Sequence, residues 1–168
     1  YYSVERFLRR GVDACAAMRY NEFHRIYQAG VDPEELTLIP LAEGGFGLPE
    51  DGLYCLEGFA AANPAACRAF ARTSLEGWKL AAQKPDEALA AVMKRARLAH
   101  LPLNEAHQRW MLKTMLESIL PPAQGGWEFG ALSREDYDRA VRILKGQGLI
   151  AAPPAHEALV MKGADRAP

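Results

Sequence analysis

The chain has 168 residues, with 20 Lys and Arg against 21 Asp and Glu and a formal net charge of −1. That balance gives no basic field for nucleic acid and no charge excess to draw an anionic surface. Its 18.5 kDa suffices for one ordinary domain with a full core, and no apolar stretch reaches the roughly 20 residues a membrane-spanning helix needs.

In chain order, Val4, Phe7 and Leu8 recur at helical spacing before Gly11, predicting a short helix closed by a glycine. The run Val12–Met18 reads as a buried strand ending in Tyr20, Asn21 and Glu22, where a helix begins. Phe23, Ile26 and Tyr27 mark that helix, stopped by Ala29-Gly30 and the turn former Asp32-Pro33. Leu36–Leu41 is a short β-rich run. The segment Gly44–Gly52 holds too much glycine and proline for a regular element, yet sets Phe46 and Leu48 within it, as a crossover or cleft loop would.

Leu53-Tyr54-Cys55-Leu56 reads as the strand receiving that crossover. Asn63 then caps a helix with Pro64 at its first position, and Cys67, Phe70, Ala71, Leu75, Trp78 and Ala82 keep to one face of it. Lys84-Pro85-Asp86 breaks it, and Leu89, Val92 and Met93 begin another. Asn104 caps a further helix with Met111, Leu112, Met115, Leu116 and Ile119 inward, ended by Pro121-Pro122. Ser133–Asp136 resembles a capping box before a last helix lined by Tyr137, Val141 and Leu144 and closed at Gly146. From Ala151 alanine, proline and charge dominate, predicting a loose tail. Strands separated by more numerous helices indicate an α/β fold.

Candidate chemistry is thin on the catalytic side. Glu22 and His24 point about 200° apart on a helix of ~3.6-residue period and form no pair. His100 and His107 fall in different elements, and His156 falls in the tail. No short spacing predicts a metal site, so structural or surface histidine is the expectation. Neither a G-x-S-x-G elbow, a phosphate loop nor a dinucleotide fingerprint occurs. Cys15, Cys55 and Cys67 are odd in number and widely spaced; Cys15 and Cys67 read as buried small hydrophobes, with one disulfide open to an exported protein.

Aromatic and acidic residues offer more. Tyr20, Phe46 and Tyr54 lie at strand ends and the crossover, where rings can sandwich a planar heterocycle; core packing is the competing role, most of all for Tyr54. Asn21 can cap its helix or contact ligand. Asn21, Glu22, Glu43, Glu50 and Asp51 are the polar candidates, with Arg19 the one base in the first cluster. This balance suits a neutral or basic planar ligand, such as an aminopyrimidine edge.

The same residues carry a resemblance. G-V-D-A from Gly11, Y-N-E from Tyr20, A-G-V-D-P-E-E-L-T-L-I from Ala29, P-E-D-G-L-Y from Pro49, N-P at Asn63 and G-W-K from Gly77 stand in one order. Together they resemble the substrate-binding proteins of ABC importers that include the thiamine-pyrimidine-precursor binders, a fold shared with fungal thiamine-pyrimidine synthases. The resemblance runs from roughly Val4 to Ile150. It implies a type II periplasmic-binding-protein fold of two α/β lobes in a chain nearly twice this long, of which this is the helix-rich C-terminal half.

On that reading residues 1–46 belong to the second lobe, 47–150 form the crossover and the helices completing the first lobe, and 151–168 are the tail. Tyr20, Asn21, Glu22, Phe46 and Tyr54 would bind a small planar nutrient such as a thiamine pyrimidine precursor. Implied partners are an ABC permease and the N-terminal half of the fold, with a homodimer as the resort of this half alone. An extracytoplasmic, periplasmic or lipoprotein location follows. The synthases resemble this chain except that they carry a cysteine-rich, iron-associated run where Gly44-Gly45-Phe46-Gly47 stands here. No metal, cofactor or enzymatic activity is therefore expected; a synthase-like enzyme and a stand-alone sensing or interaction domain are the alternatives.

Overall fold

Every regular element among the described residues is helical. The computed structural model describes residues 3–120 and 129–160. It contains α1 (Glu5–Leu8), α2 (Glu22–Gln28), α3 (Glu57–Ala62), α4 (Pro64–Gln83), α5 (Pro85–Leu98), α6 (Glu105–Ile119), α7 (Arg134–Gly146) and α8 (His156–Leu159). Between α2 and α3 lie a 3-10 turn at Pro33–Glu35 and a single π turn at Ala42–Phe46, the latter turning on Gly45 at φ 83°.

The strand expectations are not met. Val12–Met18, Leu36–Leu41 and Leu53–Leu56 form no ladder, and the α/β, type II arrangement is not seen in these residues. Alternating apolar residues favour an extended backbone, but a strand exists only when a second extended segment pairs its N–H and C=O groups. None of the three finds such a neighbour among the described residues. Most of their apolar side chains stay exposed, Ile39 by 80%, Tyr54 by 88% and Leu56 by 81%, while Met18 and Leu36 are half-buried.

The helices form where periodicity places them, but several ends differ in mechanism. Asn63 closes α3 rather than capping α4 with its side chain: Nδ2 donates to the Phe59 carbonyl at 3.2 Å, while the Asn63 carbonyl accepts from the Cys67 amide at 3.1 Å. Asn104 caps α6 as predicted, Oδ1 accepting from the His107 amide at 2.9 Å. Ser133 Oγ accepts from the Asp136 amide at 3.0 Å and donates to its carboxylate at 2.7 Å. The expected stop at Pro121-Pro122 lies outside the described residues.

Two compact units comprise these elements, each discontinuous in sequence: residues 1–38 with 78–120, and 39–77 with 121–168. In the first, Val4, Ile26, Ala81, Leu89 and Ala96 are buried, with α5 against α6 and α2 against α6.

In the second unit Tyr137 of α7 is buried. Its hydroxyl donates to the Pro154 carbonyl, its ring meets His156 edge-on at 5.3 Å, and His156 Nε2 lies 2.9 Å from the Leu132 carbonyl. The segment from Ala151, predicted to be loose, is thus fastened to α7 as far as α8; residues 161–168 lie outside the described residues. Arg139 ties α7 to the glycine-rich segment, donating to the Gly47 carbonyl at 3.0 Å and to Asp136 at 2.8 Å. Gly130, at φ 84°, is held so close to α4 that a Cβ there would stand 2.5 Å from Leu75 Cδ2.

Candidate functional site

The densest polar and aromatic cluster among the described residues lies where α2 meets α6. Helical spacing builds it: His24 and Tyr27 are three apart on α2, and His107 and Trp110 are three apart on α6, so each helix presents a histidine and a ring on one face. The Asn104 cap fixes the first turn of α6 and with it the backbone of His107. His24 Nδ1 stands 2.8 Å from His107 Nδ1. The ring centroids are 5.1 Å apart and the planes 6° from parallel. That separation exceeds the N···N distance by only two ring radii, so the imidazoles meet edge to edge. Trp110 lies flat on His24, at 4.5 Å and 5°, and Tyr27 meets the indole edge-on at 6.4 Å. The indole N–H donates to the Arg19 carbonyl at 3.3 Å.

Below the rings, Asn21 and Glu22 complete the network. Glu22 is 3% exposed, and its carboxylate accepts from the Met18 amide at 3.0 Å and from Asn21 Nδ2 at 3.2 Å. Asn21 stands at the N-cap position without capping through its side chain; its Oδ1 faces His107 Nε2 at 3.0 Å. These partners fix the tautomers. Because Asn21 Nδ2 donates to Glu22, Oδ1 must accept, so His107 Nε2 carries hydrogen. The neutral His107 ring then accepts at Nδ1, and His24 donates from Nδ1. Burial lowers the pKa of both histidines; for His107 the charges of His24 and Arg25 add to this and Glu22 opposes it.

Of the residues expected to face ligand, Tyr20, Asn21 and Glu22 belong to the first unit, beside this cluster. Phe46 and Tyr54 belong to the second, 52% and 88% exposed. Sequence spacing assigns His24, His107 and Trp110 to no site, since their partners lie 83 or more residues away and no local spacing announces them. The signal available was the paired histidine-aromatic spacing of three on both helices.

A groove of about 500 Å³ lies elsewhere in the first unit, floored by Ala82, Pro85, Leu89, Leu112 and Leu116 and rimmed by Arg109, Lys113 and Glu117. Arg109 is engaged by Asp86 at 2.6 Å. Among the described residues no group of three or more His, Cys, Asp or Glu could hold a metal ion, and no helix is long and apolar enough to cross a membrane.

The cysteines depart from the expectation of buried hydrophobes: Cys15 and Cys55 are exposed and Cys67 is half-buried. Desolvation and then the Glu22 charge push the Cys15 thiol up. The Cys67 thiol is raised by desolvation and by the nearby Cys55 side chain. Those two cysteines are therefore neighbours, although twelve positions separate them.

Comparison with known proteins places the chain. A family model described as NMT1/THI5 like matches residues 1–88, more than half of the 168, and the chain belongs to that family. No curated protein and no solved structure matches it. The match takes in α2 with Asn21, Glu22 and His24, and also Phe46 and Tyr54. It stops before α6, so His107 and Trp110 lie outside it.

Proposed function

We propose that this chain is part of a solute-binding component that captures a small planar nutrient, such as a thiamine pyrimidine precursor, for an extracytoplasmic ABC importer. The observation that carries this reading is membership of the NMT1/THI5-like family, matched across every residue expected to face ligand. Tyr20 supplies a flat face for a heterocycle. Asn21 and Glu22 supply a donor and acceptors for an amino-substituted ring edge, and keep internal partners until a ligand takes them. Binding is without covalent chemistry, and ligand shifts the protein between conformations by its different affinity for each. The fold proposed is the two-lobed periplasmic-binding-protein type, with a permease as partner.

The test is mass spectrometry of small molecules retained by the full-length protein, followed by thermal denaturation with the retained compound or with a 4-aminopyrimidine. A ligand at a hundred times its Kd adds about 2.7 kcal/mol to stability. Absence of any retained molecule and of any shift counts against the reading. Stoichiometric iron lost on Cys55→Ser would replace it with a synthase-like enzyme.

A further inference from the structure

The edge-to-edge histidine pair has a property that neither ring has alone. Between His24 Nδ1 and His107 Nδ1, 2.8 Å apart, there is room for one hydrogen. With both rings neutral, His24 donates and His107 accepts. A first added proton can go to His24 Nε2 and leave that bond intact, making it charge-assisted. A second must go to His107 Nδ1, because its Nε2 already carries hydrogen toward Asn21. Two N–H groups then face each other and two positive charges share a part-buried contact, so the bond is lost.

We propose that His24 and His107 form a proton-operated clasp between α2 and α6, closed while the pair holds at most one extra proton and released when both rings are charged. The surrounding charges are few. On α2, Arg25 disfavours a proton on His107 and Glu22 favours one; its carboxylate is already occupied by Met18 and Asn21. Arg19, before α2, pairs at 3.7 Å with Glu117 of α6 across an exposed gap, and Cys15 lies near Glu22. Trp110 cannot titrate and offers its face to His24, where a charged ring is tolerated but adds nothing to a broken N···N bond.

The sign follows from linkage. Both imidazoles have folded-state pKa values below the ordinary 6.5. The opened state takes up protons on both rings as pH falls through 6.5, whereas the closed state admits one at His24 Nε2 and resists the second. The clasp's contribution is therefore complete above about 6.5 and is lost progressively below it. If the functional reading above holds, Asn21 and Glu22 loosen with the clasp, and acid releases ligand.

The clasp is tested without ligand, by hydrogen exchange of α2 backbone amides in the full-length protein and in His107→Gln. Gln can still donate to Asn21 and accept from His24 but takes no proton. In the unaltered protein, α2 protection should fall at least about tenfold between pH 6.5 and 5.0, as one or two protons are taken up on opening. In His107→Gln it should fall less than about threefold. Equal losses in both, or no loss in either, overturn the proposal. Imidazole nitrogen NMR of the unaltered protein decides the matter should the variant not fold. His107 Nδ1 should be unprotonated at neutral pH and both rings should titrate below 6.5; independent titration of both at 6.5 overturns the clasp.

Discussion

Asn21 shows how one side chain can carry several burial problems at once. It satisfies Glu22 with its amide and His107 with its carbonyl. Asn21→Ala would leave a buried carboxylate oxygen and a buried imidazole N–H without partners, and each such loss costs about 1–3 kcal/mol. Urea denaturation should accordingly show the variant destabilised by at least about 1 kcal/mol, whereas a side chain serving ligand alone would leave stability unchanged. Cys55 and Cys67 give a second expectation at this scale, because the two side chains are close enough for one to shift the other. Oxidised glutathione should join them, each sulfur losing its proton and the glutathione disulfide taking the electron pair. Intact mass would fall by two hydrogens and peptide mapping would link the two positions. Closing a loop near this size contributes about 3 kcal/mol, so the oxidised chain should melt higher. Neither pairing was legible in the sequence: Asn21 was visible as a cap, and the cysteines looked unrelated, because both partnerships depend on how distant turns meet.

Helix ends reveal which local rules the sequence does announce. α1, α2, α5 and α7 all close with the same paired bonds, in which two amides reach back to the last turn. At α2 and α7 the left-handed residue is Gly30, φ 89°, and Gly148, φ 68°. At α1 and α5 it is Arg10, φ 56°, and His100, φ 54°. The stop at Gly30 was readable, whereas Gly11 sits one position late and Gly146 two positions early. Glycine marks the neighbourhood of a stop, but hydrogen-bond geometry chooses the residue. A non-glycine residue in this conformation costs roughly 1–2 kcal/mol, and glycine's extra freedom in the unfolded chain returns about 0.5–1 of it. His100→Gly should thus raise stability by up to about 1 kcal/mol in thermal denaturation. Asn104→Ala should move it the other way, by about 1 kcal/mol, and should disturb the His24–His107 contact as well.

At the scale of the whole molecule, helix positions were legible and strands were not, and the reason is one of distance. A helix satisfies its backbone within itself, so 3.6-residue periodicity and a cap suffice. A strand borrows its hydrogen bonds, and Val12–Met18, Leu36–Leu41 and Leu53–Leu56 find no lender among the described residues. Family membership, by contrast, came through in short motifs spread from Gly11 to Lys79, all inside the matched residues 1–88. The candidate site divides along the same line: Asn21 and Glu22 were marked by their place at a helix start, while His107 and Trp110 entered through tertiary contact alone. The bond from Arg139 to the Gly47 carbonyl has a consequence for how the chain is cut. Upstream of that tether the backbone is coiled in the π turn; from Leu48 to Leu56 it is irregular, with Leu53, Tyr54 and Leu56 standing out. Exposed, irregular chain of this kind is where proteases nick first. Brief digestion with chymotrypsin should therefore cleave first after Tyr54, ahead of Tyr27 and Tyr137, whose rings are engaged. Shortening the span between Gly47 and α3 should slow that first cut, making the tether a fixed bank from which the susceptible reach is measured.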